Sequence, residues 1–526
     1  MNTTWKQGRR TVVVGGGLAA CGLLGLSSCG GGGSTRGAGL ATSADEAKIQ
    51  NALAQLDGLV ATLMKDTGVP GMAVAVVRGD RAVHAKGYGT RVAGTNAPVD
   101  ADTVFQLASV SKSIGATVVA RQVGMGIVGW DTAVRQLLPW FELSDPAVNP
   151  RLTIGDLYAH RSGLPDHAGD RLEDMGFDQR QVLERLRHLP LDAFRGSYHY
   201  TNFGLTAAGV AVASASGTDW ATLSEQAIYA PLGMSRTSSR FTDFEARSNR
   251  VVGHVKSGSA YVPGPVRMPD AQAPAASVSS SVNDVARWLS MMLGQGMFQG
   301  RRIVDAAALQ PAVSPQAQTS PASGERPAGH YGYGFNVGTS TAGLPSFSHS
   351  GAFLLGAGTA FMVVPATGIG IVALTNATPV GVPEILGQQF FDLVQFGAVQ
   401  RDWTQIFGPP FAAMSAPEGS LVGAARPAQP APPRDLSAYV GSYRNAYHGP
   451  LQVVRQASDP SSALALLLGP APLRLPLTHW DGDTFTFALS NENAAPGTVS
   501  KASFAGDRVT LEYYDHEKQG TFVREA

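Results

Sequence analysis

Apolar residues recur at helical spacing in three stretches of the chain and alternate at strand spacing in two blocks. Ile49, Leu53, Leu56, Val60 and Leu63 form one stripe, and Ser43 with Glu46 three residues on has the form of a capping box, so a helix is predicted over residues 43–64. Gly68-Val69-Pro70-Gly71 ends it. Residues 72–77 and 82–88 read as strands joined by a turn at Arg78-Gly79-Asp80. Val110, Ile114 and Val118 give one buried face to a helix running from Ser109 to about Gln122. Residues 131–330 are richer in helical and loop patterns. Strand patterns return at 347–351, 358–364 and 368–375, and 383–396 reads as a closing helix. Two strands before and about three after a helical insertion predict one antiparallel sheet flanked by the first and last helices. That is an α+β fold with an inserted helical domain.

The pattern changes toward both ends. Residues 401–433, Ala- and Pro-rich from Pro409 onward, carry little periodicity and read as a linker. Residues 434–526 are nearly all strand pattern, with turns at Gly482-Asp483 and Gly506-Asp507, and predict a separate small β-barrel or meander. At the start, Lys6, Arg9 and Arg10 precede an apolar run over 11–26 that is short for a spanning helix and reads as an export signal. Leu26-Ser27-Ser28-Cys29, followed by four glycines, is similar to a bacterial lipobox. Leu18-Ala19-Ala20-Cys21 competes, but Cys29 leaves a fuller apolar core and precedes the flexible stretch. The organisation expected is a lipoprotein-type signal over 1–29, a tether over 30–42, a main domain over 43–400, the linker, and the terminal β domain. The chain is expected on the periplasmic side of a bacterial membrane, held by a lipid on Cys29, or secreted.

Composition narrows the chemistry. Lysine plus arginine equals aspartate plus glutamate, 40 against 40, so no net charge points to nucleic acid. Both cysteines lie in the export segment, which leaves the mature chain without a disulfide or a thiolate metal site. The 11 histidines show no HExxH or other ligand spacing, and no metal or cofactor is expected.

Three short segments carry candidate chemistry. Ser109 and Lys112 are three residues apart, so both side chains emerge on one side of a first helical turn. An alcohol needs a base beside it to attack near neutral pH, and a desolvated lysine can be one. Of eight lysines, no other has a serine three residues before it. Tyr200-Thr201-Asn202 supplies a phenol that a nearby ammonium could turn into a base, and an amide able to hold a substrate carbonyl or a lysine. Tyr443-Arg444-Asn445 has the same form but lies in the terminal domain. His349-Ser350-Gly351-Ala352 supplies an imidazole, a glycine that lets a substrate backbone approach, and a backbone N–H at Ala352 that could join that of Ser109 in stabilising an oxyanion. His330-Tyr331-Gly332 also fits, but its setting reads as a turn and a packing strand.

Taken in order, S-x-x-K, Y-x-N and H-x-G resemble the serine β-lactamase and penicillin-binding-protein superfamily, in the branch with class C β-lactamases, family VIII esterases and D-aminopeptidases. Val69-Pro70-Gly71, residues 157–165, Pro231-Leu232-Gly233-Met234 and Asp284-Val285-Ala286-Arg287-Trp288-Leu289 agree, and the resemblance spans about residues 47–396. It implies that Ser109 is acylated, that Lys112 and Tyr200 form a coupled base, that Asn202 orients substrate, and that Ser109 and Ala352 form the oxyanion hole. His349 stands where this superfamily often has a lysine. A neutral imidazole attracts a carboxylate less, so esters or small amide or peptide substrates rank above β-lactams. The alternatives are a β-lactamase or D,D-peptidase, and a non-catalytic binder of peptidoglycan fragments. The terminal module resembles a lipocalin-like domain, which implies a role in homo-oligomer formation or in access to the site. G-x-S-x-G is absent, which argues against an α/β-hydrolase.

Overall fold

The computed structural model describes residues 45–323, 327–456 and 463–525. Cys29, the tether and Ser43 lie outside the described residues. The first helix, α1, spans Glu46–Thr67 and is capped by Asp45, whose carboxylate accepts the N–H of Ala47; Gly68 closes it in the left-handed region at φ 76°.

The main sheet has eight strands, three more than the pattern predicts. Its members are β1 (Gly71–Arg78), β2 (Arg81–Gly89), β3 (Ala317–Ser320), β4 (Gly329–Tyr331), β5 (Asn336–Thr339), β6 (Pro345–Phe353), β7 (Ala357–Val364) and β8 (Ile369–Thr375). They run in the order β2-β1-β8-β7-β6-β5-β4-β3, antiparallel throughout. The unexpected members β3, β4 and β5 are only three or four residues long, too short to show an alternating period. Strands β1, β7 and β8 are buried on both faces and so read as nearly continuous apolar runs.

Four more helices position the site: α2 (Val110–Gly124), α3 (Asn202–Ala215), which belongs to the helical insertion and packs on α2, α4 (Val282–Leu293) and α5 (Val382–Phe396). Helices α1 and α5 bury Ile49, Leu56, Val60, Ile385, Leu386 and Phe390 against one face. Helix α4 covers the other, and α2 passes between the sheet and the helical insertion. Helix α2 departs from the expected single buried stripe. All but three of its fifteen residues are buried, polar ones included. The polar ones are satisfied locally: Ser111 Oγ accepts from Val278 N, Ser113 donates to Gly334 O at 2.5 Å, and Thr117 donates to Ile114 O at 2.6 Å.

The segment read as linker opens with a helix, α6 (Trp403–Met414), which carries Pro409 and Pro410 inside it. The two prolines masked the period. Trp403, Phe407 and Phe411 at four-residue spacing form a buried face against α5, and Phe411 fits over Gly381, which has no side chain to obstruct it. Beyond Met414 the chain is pinned to the terminal domain, with the N–H of Val499 on Glu418 O.

The terminal domain is a closed barrel of eight sequential antiparallel strands: β9 (Gly441–Asn445), β10 (Gly449–Arg455), β11 (Leu464–Leu468), β12 (Leu473–Asp481), β13 (Thr484–Leu489), β14 (Thr498–Ala505), β15 (Arg508–Leu511) and β16 (Thr521–Arg524). Strand β9 pairs with β16 and closes it. Gly482 and Gly506 take the positive φ that the expected turns require. The barrel core is continuous with that of the helical insertion. Tyr447 Oη accepts the N–H of Gly169, and Gly469 presses so closely on Met175 that a Cβ there would meet its carbonyl oxygen at 2.2 Å.

Trp403 tests the corrected linker. It is buried, and its indole N–H donates to Asp392 at 2.8 Å. Trp403→Ala is expected to lower stability by about 3–5 kcal/mol, the loss typical of a buried Trp. Urea unfolding followed by circular dichroism checks it; a free linker would lose almost nothing.

Candidate active site

The turn before α2 aims the nucleophile candidate. Ala108 is held at φ 48°, a left-handed conformation that costs a non-glycine residue about 1 kcal/mol, and Ser109 follows as the N-cap of α2. One turn on, Lys112 is completely buried. Its Nζ lies 3.0 Å from Ser109 Oγ, 2.6 Å from Asn202 Oδ1 and 3.2 Å from Ala275 O. It also sits 4.6 Å from the centre of the Tyr200 ring. Burial pulls its pKa down to about 7, while the Asp170 carboxylate pulls the other way.

Asn202 opens α3 with both ends of its amide engaged. Its Oδ1 takes Lys112, and its Nδ2 donates to Asp170 Oδ2 at 2.8 Å. The same carboxylate oxygen lies 2.7 Å from His167 Nδ1. The amide thus holds the lysine, one of the two roles its chemistry allows.

Tyr200 is buried among imidazoles, with ring centroids 4.5 Å from His160, 5.8 Å from His167 and 6.4 Å from His349. Its hydroxyl has no full hydrogen bond from the protein; Ser109 is the side chain near enough to act on its proton affinity. The expected depression of this phenol by an ammonium does not occur. Desolvation pushes its pKa up, because the phenolate would be buried, and the Asp170 and Asp166 charges add to the rise while Ser109 opposes it.

The third segment is strand β6, whose burial alternates so that Phe347, His349, Gly351 and Phe353 face inward. Gly351 packs on the approach to the nucleophile. A Cβ at Gly351 would fall 2.2 Å from Leu107 O, 2.3 Å from Thr359 Oγ1 and 3.0 Å from Ser109 N. Only glycine lets β6 come this close. His349 Nδ1 is 2.6 Å from Ser350 O, which can only accept, so Nδ1 carries the proton. Its Nε2 is then the acceptor for the Tyr331 hydroxyl at 2.7 Å. Burial, reinforced by the nearby Lys112 charge, depresses the imidazole to about 3. At neutral pH His349 is therefore uncharged, with both nitrogens used.

The rival motifs lie elsewhere or serve otherwise. Tyr443 donates to Tyr439 O and Asn445 to Gln519 O, both inside the barrel. Tyr331, read as packing, also hydrogen-bonds His349 Nε2, whose acceptor role is set by Ser350 O on the other ring nitrogen. Asp170 and His160 are additional members of the site. His160 belongs to the 157–165 segment already noted, and its Nδ1 accepts the N–H of Thr201 at 3.2 Å. Nothing in the spacing around Asp170 distinguishes it from a helix-start aspartate.

The beta-lactamase family model matches residues 56–388, and the chain belongs to that family of serine hydrolases. A second model, a domain of unknown function (DUF3471), matches residues 425–515, within the linker and barrel. The chain is similar to unguisins hydrolase ungD of Aspergillus violaceofuscus, at 27% identity over 83% of this chain and 82% of that protein. It is 30% identical to penicillin-binding protein 4 of Amycolatopsis lactamdurans, over 59% of this chain and 81% of that one. With esterase EstB of Burkholderia gladioli it shares 30% identity over 34% of this chain and 50% of that one. Among solved structures, an octameric penicillin-binding protein homologue from Pyrococcus abyssi has a TM-score of 0.58 at 18% identity, covering 90% of this chain and 100% of that chain. EstCE1, described as a hydrolase with promiscuous acyltransferase activity, has a TM-score of 0.55 at 21% identity, covering 66% and 100%. These two likenesses establish the fold.

The contact at Gly351 gives a sharp test. Gly351→Ala is expected to lower turnover of p-nitrophenyl butyrate about 100-fold, since a shift near 1 Å at the reacting centre costs about that much. Gly387→Ala, where a Cβ meets only Ile371 at 3.9 Å, is the control and is expected to keep full turnover.

Proposed function

We propose that the chain is an exported serine hydrolase that works through an acyl-enzyme on Ser109, acting on esters or small amide and peptide substrates. The observation that carries this reading is the buried Lys112 amine 3.0 Å from the Ser109 hydroxyl with a pKa near 7. Above that pH the amine is neutral. Its two N–H bonds have acceptors in Asn202 Oδ1 and Ala275 O, which leaves the lone pair for the Ser109 proton.

In this mechanism Ser109 Oγ attacks the substrate carbonyl as its proton passes to Lys112 Nζ. The N–H groups of Ser109 and Ala352 hold the oxyanion. The Tyr200 hydroxyl, kept protonated by burial, hands a proton to the leaving alkoxide or amine and recovers one from Lys112. Lys112 and Tyr200 act as one coupled unit. The bond from carbonyl carbon to leaving group breaks, the acyl group stays on Ser109, and water then releases the acid by the same route in reverse.

Substrate preference follows from charge. His349 is neutral and fully hydrogen-bonded, so it offers no cation to the carboxylate of a penicillin. Asp170 adds a negative charge near Lys112. Substrates without that carboxylate are favoured. On the same reading, residues 1–29 carry the chain across a bacterial membrane and Cys29 anchors it.

Incubation with a fluorophosphonate or a labelled penicillin, followed by intact mass and peptide mapping, tests the proposal. A Ser109 adduct is expected with the first and little or none with the second. Its rate is expected to climb with pH through about 7 and then level, as the Lys112 amine loses its proton. Lys112→Ala is expected to slow labelling by about 10²–10⁴-fold while the protein stays folded, the range for loss of a general base. A folded protein that gives no adduct with either reagent refutes the reading.

A further inference from the structure

The loop joining β13 to β14 leaves the barrel and enters the hydrolase domain. Two consecutive residues on it make all the important contacts. Glu492, whose side chain is only 11% exposed, accepts the N–H of Leu354 on Oε1 at 3.0 Å and the N–H of Leu355 on Oε2 at 3.3 Å. Leu354 and Leu355 follow directly on β6, the strand of His349, Gly351 and Ala352. Asn493 donates Nδ2 to the main-chain oxygen of Asp170 at 3.3 Å and to Asp174 Oδ2 at 2.9 Å. Asp170 is the residue whose carboxylate orients the Asn202 amide, and Asn202 in turn holds Lys112. One loop of the terminal domain therefore reaches both sides of the site, bonding the turn that follows β6 on one side and the main chain of Asp170, the partner of the Asn202 amide, on the other.

The loop is itself held firmly. Tyr513 of the barrel donates its hydroxyl to Asn493 O at 2.8 Å. Arg267 lies 3.9 Å from Glu492, pairs with Glu173 at 2.6 Å, and stacks at 5.1 Å over Phe353, the last residue of β6. Burial pushes the Glu492 carboxyl up to about 8 against the pull of Arg267, so near neutral pH it is held chiefly by the two N–H groups it accepts rather than by full charge. An inert spacer domain docked for stability alone would do as well with apolar contacts.

We propose that Glu492 and Asn493 of the barrel are positioning residues for the hydrolase site, fixing the end of β6 and the Asp170–Asn202 pair from a different domain. Neither touches the reacting atoms. Asn493 acts by holding the Asp170 main chain so that its carboxylate meets Asn202; Glu492 acts by pinning the turn that ends the strand beside Ser109. The inference rests on the Ser109 acyl-enzyme reading and gives the barrel a role within it.

The test uses the full chain and p-nitrophenyl butyrate. Asn493→Ala is expected to lower kcat about tenfold while KM changes less than twofold, because the base is misplaced and the acyl pocket is not. The effect should vanish in an Asp170→Ala background, since Asn493 then has no carboxylate left to aim; independent contributions would multiply instead. Glu492→Gln keeps shape but offers one acceptor oxygen for two N–H groups, and is expected to slow fluorophosphonate labelling of Ser109 about tenfold even if Asn493→Ala does not fold. Arg444→Ala on the exposed barrel surface is the control, with full activity expected. Unchanged kcat and labelling in folded Asn493→Ala and Glu492→Gln, or full multiplication in the Asp170→Ala background, overturns the inference. If the unaltered chain labels at Ser109 in the same series, the hydrolase reading survives that outcome. If it does not label, both fall.

Discussion

A lysine amine held out of water beside an alcohol is the arrangement on which the rest of the molecule depends. Lys112 is wholly buried, and a buried ammonium is strongly disfavoured. The protein answers with three oxygen neighbours, from Ser109, Asn202 and Ala275, and with the nearby charge of Asp170. Desolvation outweighs those stabilising contacts, and the balance brings the amine close to neutrality at physiological pH. Moving Lys112 to the surface would keep the motif and lose the chemistry. This is why α2 must be enclosed on every side, and why its polar side chains each find a partner inside.

The architecture supplies that enclosure from separate parts of the chain. The helical insertion brings Tyr200 and Asn202 against α2. The antiparallel sheet brings β6, and the bare Cα of Gly351 lets it come within contact of the Leu107–Ser109 backbone. The terminal barrel shares a core with the insertion, and its β13–β14 loop reaches both sides of the site. Membership of the beta-lactamase family accounts for the first two parts. The third is specific to a chain in which a barrel follows the hydrolase domain.

Some of this could be read from the residues alone. Ser109 and Lys112 were legible because helical geometry turns a three-residue spacing into adjacency. The long strands and α1 and α5 were legible because their apolar periods run for several repeats. The period failed where elements are short, as in β3 to β5, and where proline interrupts it, as in α6. For α2 the period placed the helix but not its burial on nearly every face, polar positions included. Asp170 was invisible because its role depends on meeting Asn202 across 32 residues of chain. The low proton affinity of His349 and the high one of Tyr200 depend on burial, which a spacing cannot reveal.

The most direct measurement is the titration of Lys112 itself. With lysines labelled at Cε by carbon-13, the Lys112 resonance can be assigned by its loss in Lys112→Ala and followed from pH 5 to pH 11. The account requires a midpoint near 7. A Lys112 that keeps its proton until about pH 10, as a solvated lysine does, contradicts it.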